Sequence, residues 1–116
     1  MIILKEAKTK KEIKRFVLFP FSLYRRNKFW VPPIIKEETD NFNPKKNPVF
    51  KNADARFFLA YKGRKVVGRV VAIINWSEVK EQKIKKMRFG WFDVIDDIEV
   101  TKILLKKVIE IGKSNN

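Results

Sequence analysis

The sequence predicts an α/β protein, more narrowly α+β, with a mostly antiparallel sheet flanked by helices. Three observations predict it. Two β-rich runs flank a short glycine turn between residues 55 and 74, as in a hairpin. A capping box opens a helical repeat near the N-terminus. A second helical repeat, opened by two aspartates, follows another strand near residue 94.

Element by element, Ile2 to Leu4 read as a short strand. Thr9-Lys10-Lys11-Glu12 then places a hydroxyl and a carboxylate three residues apart, where they satisfy two free amides at a helix start. Ile13, Phe16 and Val17 follow at helical spacing. Pro20 has no amide donor and disfavours helix at Phe19, so a break is expected there, with a second short helix running through Arg25. Residues 27–48 hold Pro32, Pro33, Pro44 and Pro48 and read as mostly irregular, with a helical turn over Ile34 to Thr39. Trp30, Phe42 and Phe50 are expected to pin this stretch to the core.

The hairpin pairs Ala55–Tyr61 with Lys65–Ile74 across Lys62-Gly63-Arg64, and Gly68 inside its second strand predicts a bulge or a close backbone approach. Ser77 to Lys86 read as a charged connection, and Met87 to Val94 as a strand whose residues Phe89, Trp91 and Asp93 alternate onto one face. Asp96-Asp97-Ile98-Glu99 opens the last helix, Val100, Ile103, Leu104 and Val108 give it an apolar face, Gly112 is expected to end it, and the last four residues to fray.

At 116 residues, the chain amounts to one domain or part of one. Hydrophobic residues make up 45% and aromatics 13%, enough to build a packed core. The sequence has no Cys and no His, which excludes disulfides, zinc–thiolate sites, thiol nucleophiles and imidazole acid–base chemistry by this chain, and no metal is expected. The lack of Cys fits a reducing cytoplasm, and no run approaches the roughly 18 apolar residues of a membrane span. The net charge of +14 points to polyanionic partners. Yet 20 of the 27 basic residues are lysines, point charges on flexible stems, and this weakens the case for specific nucleic-acid recognition.

Three residue sets carry a family resemblance. The first joins Phe19-Pro20-Phe21-Ser22-Leu23-Tyr24-Arg25-Arg26-Asn27, Trp30-Val31-Pro32-Pro33 and Phe42-Asn43-Pro44-Lys45-Lys46-Asn47-Pro48; the second is Phe58-Leu59-Ala60-Tyr61, Val67-Gly68-Arg69 and Ala72-Ile73-Ile74-Asn75; the third is Phe89-Gly90-Trp91-Phe92-Asp93 with Asp96-Asp97. Together, over roughly residues 13–111, they resemble the N-terminal part of a family of large bacterial GNAT-like (N-acetyltransferase-like) proteins. The resemblance implies the leading portion of an acyl-CoA N-acyltransferase fold, incomplete because the late strands and helices are missing. It also implies transfer of an acyl group from acetyl-CoA, or another acyl-CoA, to a small-molecule or peptide amine, with the fragment inactive alone.

By that resemblance the cosubstrate contacts the backbone of Phe92, Asp93, Val94 and Ile95, and Asp93 is the candidate general base. Phe21, Tyr24, Arg25 and Trp30 would wall the acceptor site. The sequence departs from the family pattern where Asp96, Asp97 and Glu99 stand in place of a Gly-rich turn, because acidic side chains cap the helix amides and repel a pyrophosphate. The competing reading is a non-catalytic basic module on nucleic acid or another anionic surface. An open sheet edge after the last strand implies either self-association or cover by a missing C-terminal segment.

Overall fold

The computed structural model describes residues 1–43, 45–83 and 86–114. Pro44 of the Asn-Pro run, Ile84 and Lys85 of the charged connection, and Asn115 and Asn116 of the expected frayed end lie outside the described residues. The chain runs β1 (Ile2–Glu6), α1 (Lys10–Leu23), α2 (Ile35–Asn41), a 3₁₀ turn (Pro48–Lys51), β2 (Ala53–Lys62), β3 (Lys65–Asn75), α3 (Trp76–Gln82), β4 (Arg88–Val94) and α4 (Ile98–Ser114). The four strands stand side by side in chain order, every neighbouring pair antiparallel. This is the mixed α+β architecture that the periodicities predict.

β2 and β3 are central and covered on both faces, so they read as nearly continuous apolar runs. One face, with Phe58, Ala60, Val67, Val70 and Ala72, packs against Val100, Leu104, Val108 and Ile111 of α4. The other, with Phe57, Leu59, Tyr61 and Val71, packs against Phe16 and Val17 of α1 and against Phe42. Phe16, Phe58, Leu59 and Leu104 are all below 2% or at 2% exposure, and each such side chain contributes roughly 1.5–3 kcal/mol by leaving water. Among the described residues no helix is long and apolar enough to cross a membrane.

The capping box forms as expected. Thr9 Oγ1 accepts the Glu12 amide at 3.1 Å, and Glu12 Oε1 accepts the amides of Thr9 and Lys8 at 3.0 and 3.1 Å. The expected break at Pro20 does not occur: α1 runs unbroken through it to Leu23. A proline at position 20 cannot donate to the carbonyl four residues back, which belongs to Phe16. Arg69 of β3 donates its Nη1–H to that same carbonyl at 2.8 Å. A side chain from the sheet thus replaces the missing helix hydrogen bond, and the helix continues.

The hairpin turns at Gly63-Arg64, with Gly63 at φ +61°. Beyond it the β2–β3 register slips by one at Ala60/Tyr61, so that Val67 is the extra residue. Gly68 is also a close approach: a Cβ there would lie 2.8 Å from Leu104 Cδ1 and 3.0 Å from Val100 Cγ1. The charged connection after β3 contains α3, held at its start by Trp76, whose Nε1–H donates to Asp54 at 2.8 Å. α4 does not stop at Gly112 but continues to Ser114. Gly112 serves packing, since a Cβ there would meet Met87 Sδ at 2.5 Å. At the other end of α4, Asp97 caps the helix by accepting the Glu99 amide at 3.0 Å, and it also accepts from Lys62 Nζ at 2.5 Å.

The expected alternation of Phe89, Trp91 and Asp93 is broken. Arg69 pairs with Asp93, but Val71 pairs with Gly90, so Trp91 and Phe92 together oppose Val70 in a β-bulge. Trp91 takes a positive φ of +44° there, a conformation that costs an aromatic residue on the order of 1–3 kcal/mol. The bulge sends Phe89 to the α4 side, where its ring meets Phe92 at 5.9 Å. Trp91 turns to the α1 side and meets Phe42 at 5.2 Å.

Candidate functional site

A charged cluster is buried where α1, β3 and β4 meet. Arg69 sits in the middle of a valine-rich central strand and is 5% exposed, the one buried charged residue among the described residues. A guanidinium in such a place must be paired and fully hydrogen-bonded. Its Nε donates to Asp93 Oδ2 at 2.9 Å, its Nη2 approaches the same oxygen at 2.9 Å, and its Nη1 is taken by the Phe16 carbonyl. The guanidinium carbon also lies 4.9 Å from the centroid of the Phe16 ring, a cation–π arrangement. Burial pushes the Arg69 guanidinium down from its ordinary value, and the charge of Asp93 opposes that.

The third member is Tyr24, the C-cap of α1. Its amide closes the helix on the Pro20 carbonyl at 2.8 Å, and its phenol donates to Asp93 Oδ1 at 2.5 Å. The bond to Asp93, with burial second, pushes the Tyr24 phenol up to about 12. Tyr24 is therefore a donor that orients Asp93, and not a base at neutral pH. A raised phenol contributes stability that is fully present below the unfolded value near 10 and is lost as pH rises through about 12. The ultraviolet titration of tyrosinate is expected to contain a component near 12 that Tyr24→Phe deletes; an unchanged curve would mean that the phenol is not bonded to the carboxylate.

Asp93 is consequently held from two sides, with its side chain 16% exposed. A carboxylate has about four acceptor positions. Two nitrogens of the one Arg69 guanidinium fall on Oδ2 and the Tyr24 phenol on Oδ1, which leaves Oδ1 able to take one further donor. Aromatic rings flank the cluster. Trp30 stacks on Tyr24 at 5.5 Å and meets Phe21 edge-on at 5.1 Å, and Phe42 contacts Phe16, Phe57 and Trp91 within 5.4 Å.

The structure thus brings together four of the residues singled out in the sequence: Asp93, Tyr24, Phe21 and Trp30. Arg25 is exposed beside them. The backbone of the remaining candidates is largely engaged: Val94 pairs with Gly68 in the ladder, and the Ile95 amide donates to the Val67 carbonyl at 3.0 Å. Phe92 and Val94 turn toward α4 and pack on its core, away from Asp93. Arg69 is the residue that sequence reasoning missed as a site member. The available signal was a lone charge between Val66-Val67 and Val70-Val71 on a strand expected to be central. Among the described residues no group of acidic side chains could hold a metal ion.

A mixed α+β chain with one buried Arg–Asp–Tyr cluster is the class that fold and site define. No family model matches the chain. A bacterial ceramide synthase of Caulobacter vibrioides (strain NA1000 / CB15N) is 35% identical over 103 residues, which is 86% of this chain and 26% of that protein. Protein YghO of Escherichia coli (strain K12) is 32% identical over 91 residues, 78% of this chain and 23% of that protein. The chain therefore spans about a quarter of the length of the curated relatives it matches. These findings correct the reading by resemblance: the relatives are not named GNAT-like acetyltransferases, and their names point away from acyl-CoA N-acetyl transfer. The competing reading, a basic module on nucleic acid or another anionic surface, finds no support in them either.

Proposed function

We propose that this chain contributes the polar-head anchor of a lipid-handling protein related to the ceramide synthase of Caulobacter, with Asp93 as the anchoring group. The observation that carries the reading is the single open acceptor position on Asp93 Oδ1, on a carboxylate clamped by Arg69 and Tyr24 and bordered by aromatic rings. Ceramide is the amide of a long-chain amino alcohol, and its polar end presents hydroxyl and N–H donors. A fixed acceptor suits such donors, and the ion pair with Arg69 leaves no net charge that would have to be desolvated when the lipid arrives. Apolar pocket walls with few, well-placed polar groups are the usual composition of a small-molecule site. Here the rings of Phe21 and Trp30, in contact beside Tyr24, would supply that apolar surface.

The test is binding of a short-chain, water-dispersible ceramide to the full chain, followed by Trp fluorescence, for the wild type, Asp93→Asn and Tyr24→Phe. Loss of a charged acceptor is expected to weaken binding by about tenfold to a hundredfold, and loss of the orienting phenol by less. Tyr24→Phe leaves the Arg69–Asp93 pair intact, so its effect can be read even if Asp93→Asn lowers stability. Equal affinity in all three proteins, or no saturable binding by any, would sink the reading.

A further inference from the structure

A cavity lies beside Phe42, whose ring also meets Phe16 and Trp91 near the Asp93 cluster. It is a groove of about 910 Å³ between the start of α1, α2 and the 3₁₀ turn, floored by β2. That volume is in the range of small-molecule sites. Its floor is apolar: Ile13, Ile35, Phe42, Phe50 and Phe57 line it, with Ala53 and Ala55 beneath. Its rim is basic, with Lys8, Lys10 and Lys14 along one wall and Lys45 and Lys46 along the other.

The five lysines of the rim outnumber the carboxylates beside them. Three carboxylates also line the groove, and each is engaged. Glu6 takes Arg56 at 2.7 and 3.1 Å, which holds it below its ordinary value. Asp40 takes Lys46 at 3.1 Å, and Asp54 takes the Trp76 indole at 2.8 Å. Among the described residues no carboxylate lies at ion-pair distance from Lys8, Lys10, Lys14 or Lys45, although Glu6 feels the charge of Lys8. Lys10 and Lys14 stand one helical turn apart on either side of Ile13, and like charges at that spacing repel. An anion between the two walls relieves that repulsion, and an alkyl chain behind it covers the Phe and Ile floor.

From this combination we infer that the groove binds a single-chain anionic amphiphile, specifically a long-chain carboxylate, with its head between Lys10, Lys14 and Lys45 and its chain over Ile13, Phe42 and Phe57. The inference goes beyond the ceramide reading: it concerns a different place in the fold, different residues and a ligand whose head is anionic where that of ceramide is neutral. Lysine suits the task because its methylenes extend the apolar wall while the ammonium stays at the mouth.

Calorimetric titration of the full chain with dodecanoate below its micellar concentration tests the assignment. Saturable one-to-one binding is expected. Octanoate, four methylenes shorter, is expected to bind about a hundredfold more weakly, on the order of what four buried methylenes supply. Charge reversal at the exposed pair, Lys10→Glu with Lys14→Glu, is expected to weaken dodecanoate by at least about tenfold, the worth of one charge-assisted contact. Lys106→Glu on α4, far from the groove, is expected to leave it unchanged. The assignment is overturned if 1-dodecanol binds as tightly as dodecanoate, if Lys106→Glu loses as much as the double variant, or if no saturation is reached. Ceramide binding without dodecanoate binding would remove the groove and leave the Asp93 anchor standing.

Discussion

Arg69→Met is expected to destabilise the protein by about 3–5 kcal/mol, the usual result of breaking a buried ion pair by removing one partner. Two groups lose their donor together. Asp93 keeps only the Tyr24 phenol, in a site where its side chain is 16% exposed. The Phe16 carbonyl loses the Nη1–H that stands in for the amide Pro20 lacks, and Phe16 itself is fully buried. The second loss can be isolated. Pro20→Ala restores an amide at the position facing that carbonyl. It is expected to stabilise the Arg69→Met protein by more than it stabilises the wild type, with a coupling of about 1–2 kcal/mol. Urea unfolding of the four proteins of this cycle measures it. Strict additivity would show that Arg69 does not carry the helix across Pro20.

That interaction also explains what the sequence could and could not disclose. Local chemistry is visible in local sequence: the Thr9–Glu12 box, the Gly63 turn, the pairing of β2 with β3 and the Asp97 cap all lie within a few residues of their signals. The continuity of α1 is not of this kind. Proline removes an amide, but no break follows, because the donor that replaces it lies 53 residues beyond the Phe16 carbonyl it serves. The β4 bulge was hidden for a similar reason. Strict alternation from Phe89 to Asp93 looked sound, and only pairing with β3 reveals that Val70 faces two residues. α3 was missed because charge and absence of apolar period make a solvated helix look like a loop. Gly112 misled because a stop signal and a packing requirement use the same residue. As for the site, Asp93 and the aromatic wall were legible as residue types near one strand. What joins them is Arg69, whose meaning depends on knowing that β3 is covered on both sides. The family inferred from the three residue sets is the part the relatives correct, since their names point elsewhere.

Gly68→Val is expected to cost about 1–3 kcal/mol, the range for overpacking a filled core. The first atom added already conflicts: a Cβ would sit 2.8 Å from Leu104 Cδ1, and Val100 Cγ1 is 3.0 Å away. Both partners are fully buried on α4, so each can yield only by displacing its own packed neighbours. The cause can be checked with Gly68→Ala in a Leu104→Ala background. Leu104→Ala alone is expected to cost about 2–5 kcal/mol, part of it for the cavity it leaves. A methyl at position 68 points into that cavity, so the double variant is expected to be more stable than the sum of the single effects by about 1 kcal/mol or more. Thermal or urea unfolding gives the cycle, and a vanishing coupling would place the cost of Gly68 in the backbone and not in the α4 contact. The consequence reaches the site. Gly68 pairs with Val94 and precedes Arg69, which pairs with Asp93. A side chain that drives α4 and the sheet apart therefore shifts the two strands that set the Arg69–Asp93 distance of 2.9 Å, and Gly68→Val is expected to weaken head-group binding as well as stability.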